Sequence, residues 1–436
     1  MSDLITQAQI AATQANWATV ALLLHRFLVE TEPNVARVAS SQLLDLAIQV
    51  LQAGDFQEQW EVAKVFPLIG QPAIAPLMTL LEDDTAELEA RWFAARILGN
   101  LNDPVAIIAL VNQLQISEDE DLSQMVAEAL ANLGTPAIAA LTHLLDTPDT
   151  RQFAVQALAQ IRQVETVAPL LSVVNADDPA VRAIAIEALS SFHALQVSDV
   201  LVAAVADPVA AVRKVAIASL GARPDLNQRP DLVNLLADRL WDVNLSVCQQ
   251  AALTLGKLKR EEAVPLLNQA LVAEQTPLPL QLDLVRALSW IGTRTALDSL
   301  QTCLPLYPAS LPLPVCQEIL LMLGRWETAE LQLIAAQVLA HTLTSGAVIS
   351  QESALRRTIA TALGELRHPA TLEPLIQLLG DVDAGVRLHA IAALRALNPA
   401  TVYTYLEELQ SRPNLPEHLR AGIDIAFNEW KTELSL

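Results

Sequence analysis

Histidine and cysteine, the side chains from which many catalytic and metal sites are built, are dispersed along this chain. Its three cysteines, Cys248, Cys303 and Cys316, form no CxxC pair and no cluster with histidine, so neither a zinc site nor a disulfide framework is predicted. No HExxH sequence or glycine-rich phosphate loop occurs. We therefore expect no catalytic residue, no metal and no bound cofactor. The histidines fall at unrelated positions: His25, His143, His193, His341, His368, His389 and His418.

Acidic residues outnumber basic ones, with 49 Asp and Glu against 27 Lys and Arg and a formal net charge of −22. Nucleic-acid binding needs a basic surface that attracts phosphates, and the charge also disfavours an anionic membrane surface. The first residues lack the basic start and apolar core of a signal peptide. No apolar run approaches the ~18 residues of a spanning helix. We expect a cytoplasmic protein that binds neither nucleic acid nor membrane.

The acidic excess is greatest between Asp55 and Asp121, where the run Glu118-Asp119-Glu120-Asp121 occurs. Two interpretations are open. The acids can form solvated loops that promote solubility, or a landing patch for a basic partner.

Any functional side chain must be positioned by short repeated helices. Segments such as DPAVRAIAIEALSSF and DVDAGVRLHAIAALRAL share a turn, an arginine and an alanine-rich helix ending in Ala-Leu. A period of about thirty residues is typical of helical solenoids. The last leucine of this pattern, here called the marker, or its equivalent recurs at Phe66, Leu98, Leu130, Leu158, Leu189, Leu220, Leu255, Leu288, Leu323, Leu363 and Leu394.

A second helix follows each marker and often begins with Pro-Leu, as at Pro76, Pro169, Pro265 and Pro374. Proline is tolerated there because a first-turn N–H has no partner within the helix. One hairpin cannot bury its apolar face alone, so neighbours must stack. The sequence therefore predicts an all-α, right-handed superhelical solenoid of about eleven helical hairpins with N- and C-terminal capping helices.

Arginine recurs seven residues before the marker, and acidic residues precede it in the turn, as with Asp178 before Arg182 and Asp383 before Arg387. We interpret these arginines as a ladder that ties the inter-repeat turns by hydrogen bonds and ion pairs. Its members are Arg91, Arg151, Arg182, Arg213, Arg356 and Arg387.

Four regions are predicted along the chain. Residues 1–55 would form N-terminal capping helices, with amphipathic helices over 2–30 and 34–53, and residues 56–275 the regular repeats. Residues 276–353 contain Pro277, Pro279, Pro305, Pro308, Pro312 and Pro314, which we expect to interrupt the helices. Residues 354–436 would hold further repeats and a C-terminal capping helix around 415–434.

The pattern VR…A…ALG…A…PL resembles the HEAT-like repeats of the cyanobacterial phycobilin-lyase-like family over roughly residues 57–410. That resemblance implies a helical scaffold. The family includes bilin lyase subunits, which attach bilins to phycobiliprotein cysteines, and the HEAT-repeat partner of an IscA-type iron–sulfur carrier. Lyase subunits tend to be shorter than this chain, which favours the scaffold members.

Two groups of residues are candidate protein-binding sites. Trp60 and Trp92 each lie six residues before a marker, so they can form an exposed hot spot or pack beneath the capping helices. On the second helices, residues two after the Pro-Leu leucine are mostly polar but seldom Lys or Glu. Either they line a concave groove that binds a partner, or they are polar only because any exposed helix position must be. This polar row comprises Thr79, Asn112, His143, Ser172, Asp238, Asn268 and Gln377.

The complete repeat array, together with the scattered histidines and cysteines, indicates a non-catalytic scaffold that binds other proteins and is a monomer by itself. The resemblance implies that its partners are phycobiliproteins or an iron–sulfur carrier, in cofactor or photosynthetic-complex assembly. The alternative is an enzyme, a phycobilin lyase.

Overall fold

A computed structural model describes residues 2–30, 40–397 and 399–434 of the chain, and these form α-helices and short 3-10 turns without any strand. From the second repeat on, the first helices are Leu88–Leu101, Glu120–Asn132, Pro148–Ile161, Pro179–Leu189, Ala210–Gly221, Leu245–Leu258, Leu278–Ile291, Leu313–Leu323, Ser353–Leu366 and Ala384–Leu397. Each contains or ends at a marker leucine, so the all-α repeat fold is confirmed.

The second helices follow after a turn, which in most repeats is a three-residue 3-10 helix. The Pro-Leu prolines lie in their first turns, as expected. These helices are Ile74–Glu82, Ile107–Ile116, Ile138–Leu144, Val167–Ser172, Leu195–Ala204, Leu232–Asp238, Val264–Val272, Arg294–Cys303, Ala329–Thr344, Leu372–Leu378 and Pro399–Gln410.

The chain divides into two compact units, Met1–Ala216 and Ile217–Leu436. Within the first unit, the N-terminal part has helices Ser2–Thr13, Trp17–Glu30 and Ser40–Ala53 before the first repeat, whose first helix is split into Phe56–Ala63 and Phe66–Ile69. One helix over residues 2–30 is therefore wrong, because Ala15 takes a left-handed φ of 53° and breaks it. Residues 34–39 of the second predicted helix lie outside the described residues.

In the second unit, four of the six prolines expected to interrupt helices instead mark helix beginnings, whereas Pro305 follows the end of Arg294–Cys303 in the 3-10 helix Leu304–Leu306. Pro277 and Pro312 occupy the N-cap positions of Leu278–Ile291 and Leu313–Leu323, and Pro279 and Pro314 lie in the first turns. The longest marker spacing has another origin: Ala329–Thr344 is 16 residues long and is followed by the one-turn helix Val348–Gln351. The C-terminal helix is Glu417–Leu434.

Adjacent first helices approach closely where a glycine directly follows the marker leucine. A Cβ placed on Gly99 would lie 2.6 Å from the Cα of Ala129, and one on Gly256 would lie 2.7 Å from the Cα of Ala287. These distances are shorter than any van der Waals contact, so glycine after the marker lets the next first helix pack backbone against backbone.

Among the described residues, no single helix is long and apolar enough to cross a membrane. By length and composition alone, Glu120–Asn132 and Thr135–Leu144 would together be long and apolar enough to do so, with a bend of 119° between them.

Candidate protein-binding surfaces

The predicted arginine ladder is confirmed, because each of its six arginines binds the segment that precedes its own helix. Arg182 Nη1 donates to the carbonyl oxygens of Ala176 and Asp177 at 2.8 and 3.0 Å, in the turn before its own helix. Its Nε and Nη2 donate to Asp207 of the next repeat at 2.8 and 2.9 Å. Arg182 therefore binds two successive turns.

Asp207 completes the node, because its backbone oxygen accepts from Arg213 Nη1 at 2.8 Å and its Oδ1 accepts from the Val209 N–H at 2.8 Å. Burial alone would raise the pKa of Asp207, but the hydrogen bonds from Arg182 and Val209 outweigh burial and lower it.

The second unit contains the same node. Arg356 Nε and Nη2 bind Asp381 at 2.6 and 3.1 Å, and the backbone oxygen of Asp381 accepts from Arg387 Nη1 at 2.7 Å.

Two acidic partners suggested by the sequence are corrected by these contacts. Asp178 does not pair with Arg182 but caps the helix Pro179–Leu189 by accepting from the Ala180 N–H. Asp383 binds Arg357 rather than Arg387, at 3.1 and 2.8 Å. The true carboxylate partner lies 25 residues after its arginine.

The polar row lies on the second helices and is almost entirely exposed. Asn268 is half-buried, and its Oδ1 accepts a hydrogen bond from Cys303 Sγ at 3.3 Å. The exposed members are Thr79, Asn112, His143 and Ser172 in the first unit and Asp238 and Gln377 in the second.

In the first unit, some side chains of the polar row already hydrogen-bond to the backbone of their own helix and others do not. Thr79 Oγ1 donates to the Ala75 carbonyl at 3.1 Å and Ser172 Oγ to that of Pro169 at 2.6 Å. Asn112 and His143 make no hydrogen bond to any described residue, so their polar groups are available to a partner.

A row of small or apolar residues flanks the first unit's polar row one helical turn earlier, which sequence reasoning missed. Ala75, Ile108, Ala139 and Ala168 are all exposed, and Ile108 is 71% exposed. They lie four residues before Thr79, Asn112, His143 and Ser172, and residues four apart are neighbours on a helix surface. An exposed surface that alternates uncharged polar and small apolar side chains suits protein contacts.

Trp60 and Trp92 are half-buried and belong to an aromatic cluster on the first helices. Trp92 lies 5.0 Å from Phe93 in an edge-to-face arrangement, and Trp60 lies 6.4 Å from Phe93. The Arg96 guanidinium carbon lies 3.8 Å from the centre of the Trp60 ring and 5.6 Å from that of Trp92. Both indoles therefore interact with the same cation.

Several acids of the 55–121 region cap helices, which supports a structural role for them. Asp55 caps Phe56–Ala63, and Asp119 caps Glu120–Asn132 by accepting from the Leu122 N–H. Glu58 accepts from the Ala18 N–H at 3.0 Å and so joins an N-terminal helix to the first repeat.

All three cysteines are buried. Burial raises the pKa of Cys303 to about 11, and burial with the neighbouring Cys303 raises that of Cys316 to about 12. Cys248 stands at a ladder position, seven before its marker, and its Sγ donates to the Asp242 carbonyl at 3.1 Å. In the described part of the chain, no group of three or more His, Cys, Asp or Glu side chains is placed to hold a metal.

Solved structures with similar folds include long helical-repeat proteins. Kap95p, solved with RanGDP, aligns with a TM-score of 0.54 and 15% identity over 97% of this chain and 63% of its own. Kap121p aligns with a TM-score of 0.55 and 13% identity over 93% of this chain and 52% of its own. The chain thus spans less than two thirds of either protein, and at these identities the likeness concerns the fold alone.

The complex of CpcE and CpcF of phycocyanin lyase from Nostoc sp. PCC7120 is also similar, with 21% identity over 52% of this chain and 91% of that one. Its TM-score is 0.30, too low for a functional conclusion. No curated protein matches the sequence. The family model for HEAT repeats matches residues 74–151, 146–221 and 332–421, which together are more than half of the chain. The chain belongs to the HEAT-repeat family.

Proposed function

We propose that this protein is a non-catalytic scaffold that binds partner proteins along the second-helix surface of its first unit. The observation that carries the proposal is the pairing of two exposed rows, the polar row and the small apolar row beside it. Asn112 and His143, at the centre of the polar row, offer unsatisfied donors and acceptors, while Ile108 offers apolar area. A partner can therefore gain directional hydrogen bonds and apolar burial on the same surface.

The biological setting rests on the sequence resemblance. The VR…A…ALG…A…PL repeat pattern supports a role in cofactor or photosynthetic-complex assembly in a cyanobacterium, with a phycobiliprotein or an iron–sulfur carrier as partner. Affinity purification from the native host followed by mass spectrometry identifies the bound protein. Co-expression with a bilin and phycobiliprotein subunits tests the lyase alternative, because a covalent fluorescent product would contradict a non-catalytic scaffold.

The binding surface is tested by replacing Asn112, His143 and Ser172 with lysine. Surface substitutions usually change stability by less than ~0.5 kcal/mol, so helicity and melting temperature should stay near the wild-type values. Three long charged side chains would nevertheless occupy the contact surface, and we expect binding of the purified partner to weaken at least about a hundred-fold, as for disrupted hot spots.

The matched control places three lysines in the same three repeats, at the exposed first-helix residues Asn100, Asn132 and Gln160. The change in net charge is the same, and partner affinity should remain within about two-fold. Loss of binding in the control set but not in the polar-row set would move the site to the first-helix side. Loss of helicity in the polar-row set would mean that these side chains do not face solvent.

A further inference from the structure

A second surface of the first unit has features that the scaffold function does not yet use. Next to the aromatic cluster lies a pocket of about 540 Å³ formed by the first helices of three successive repeats. Its apolar part includes Phe56, which is 53% exposed, Leu88, which is 43% exposed, and Trp92. Phe93, which is fully buried, lies at its base. Exposed aromatic area around a concave surface is typical of binding sites.

The same pocket carries a one-sided charge. Glu89, Asp119, Asp121 and Glu128 line it, and none of the described residues that line it is Lys, Arg or His. Asp119 caps a helix, and Glu128 accepts from Gln124 Nε2 at 3.0 Å. Glu89 and Asp121 are exposed and have no hydrogen-bond or ion-pair partner among the described residues. A positively charged occupant would therefore complement these carboxylates.

The aromatic side of the pocket favours a particular cation. Arg96 already places its guanidinium against Trp60 and Trp92, so this cluster accepts a planar cation on its rings. Guanidinium stacks on aromatic faces and binds carboxylates through two parallel hydrogen bonds, whereas ammonium is a compact, strongly hydrated charge. The combination of rings and carboxylates thus suits arginine better than lysine.

We propose that this pocket binds an arginine side chain from a basic segment of a partner protein, with the guanidinium on Trp92 and between Glu89 and Asp121. The inference rests on the proposed scaffold function and names the chemistry of the partner, but the pocket lies on the first helices and not on the polar row. The exposed Glu118 and Glu120, which alternate with Asp119 and Asp121, extend the acidic surface beyond the pocket, so basic residues beside the arginine also find counter-charges.

The test uses fluorescence anisotropy with a fluorescein-labelled peptide of three Gly-Leu-Arg units and the whole protein. The same peptide with citrulline in place of arginine keeps the shape but removes the charge, and it should bind at least about ten-fold more weakly. A lysine version should also bind more weakly than the arginine version. Equal binding of the citrulline peptide, or no binding of the arginine peptide, would overturn the proposal.

Variants locate the site. We expect Glu89→Gln with Asp121→Asn, and separately Trp92→Leu, to weaken binding of the arginine peptide by about five-fold or more. Glu89 and Asp121 lie in the first turns of their helices, where carboxylates also favour the helix dipole. The matched control is therefore Asp149→Asn with Glu330→Gln, which removes two exposed first-turn carboxylates elsewhere. An equal loss in the control would mean unspecific attraction to an acidic protein and would reject the pocket.

A direct readout keeps the test independent of variant stability. In protein labelled with 5-fluorotryptophan, the arginine peptide should shift the fluorine resonance of Trp92, assigned with Trp92→Phe, and leave that of Trp290 in place. A second copy of this chain is another possible occupant, and sedimentation at rising protein concentration tests for it. A dimer that Glu89→Gln with Asp121→Asn abolishes would place the second copy in the pocket and overturn the proposal. Failure of the peptide test would leave binding at the polar row intact, so the two hypotheses fail separately.

Discussion

At the residue scale, Asp207 and Asp381 each bind two arginines in different ways. The carboxylate accepts from the arginine of the preceding repeat, and the backbone oxygen accepts from the arginine of its own repeat. Two hydrogen bonds to one carboxylate fix the direction of the guanidinium as well as its distance. A single aspartate thereby sets the spacing of two adjacent hairpins.

Asp383 shows how such contacts change the proton affinity of a carboxylate. Hydrogen bonds from Arg357 and from the Val386 N–H lower the pKa of Asp383 to about 2. We expect an NMR titration of the Asp383 carboxyl carbon to give a midpoint near that value. In Arg357→Gln the midpoint should rise toward about 3.9, the ordinary aspartate value.

The sign of the stability effect follows from this shift. Because the pKa in the folded chain lies below its unfolded value, the contact stabilises the fold above about pH 4 and this contribution is lost as the pH falls toward 2. An Asp383 midpoint that stays the same in Arg357→Gln would contradict the arginine as the cause. Arg26→Gln, which removes a pair in the other unit, should leave the Asp383 midpoint unchanged.

At the element scale, the marker glycine determines how closely neighbouring first helices pack. In Gly99→Ala, the new methyl group would overlap the backbone of Ala129, so the two helices must move apart. Overpacking of this kind costs about 1–3 kcal/mol, and only part of that is offset by the higher helix propensity of alanine. We expect a lower unfolding free energy in urea denaturation.

The neighbouring residue provides the control for this change. Asn100 is exposed on the same helix, so Asn100→Ala gains helix propensity without meeting another helix and should leave stability equal or slightly higher. If Gly99→Ala were as stable as Asn100→Ala, the close approach would not constrain the packing.

Much of the element scale was predictable from sequence, and the exceptions have physical causes. The hydrophobic period and the prolines located both helices of a repeat, because these signals are local. Ala15 was missed because nothing in its residue type signals a left-handed backbone. Asp207 could not be assigned to Arg182 from spacing, since the contact forms only when two hairpins stack. The pocket at Trp92 was missed for the same reason, because its lining comes from three successive repeats. Exposure of the polar row, by contrast, followed from helix periodicity alone.

At the scale of the whole molecule, stability is distributed over contacts between neighbours, as expected for a repeat protein. The two ladder nodes described above lie in different units, and each joins only adjacent hairpins. A local change should therefore have a local effect on protection against hydrogen exchange.

Arg182→Gln tests this expectation. Both side chains of the Arg182–Asp207 pair are only 10% exposed, and breaking a buried pair by removing one partner costs about 3–5 kcal/mol. Amide exchange in Pro179–Leu189 and in the turn around Asp207 should accelerate by roughly a hundred-fold or more, while Ser353–Leu366 keeps its protection. In Arg356→Gln, exchange should instead accelerate in Ser353–Leu366 and in the turn around Asp381, while Pro179–Leu189 keeps its protection. Equal acceleration in both units would mean that the chain unfolds as one cooperative body.

The ladder also bears on how a gene for such a protein can change in length. Arg182 reaches Asp207 and Arg356 reaches Asp381, each 25 residues ahead. A repeat of this type carries a donor for the turn that follows and an acceptor for the arginine that precedes. Copying one whole period in frame would add both halves of the connection at once, and deleting one would remove both. Insertion of a single residue in the turn would instead change the 25-residue spacing between the arginine and its aspartate. Natural selection can thus lengthen or shorten a repeat array of this kind by whole hairpins.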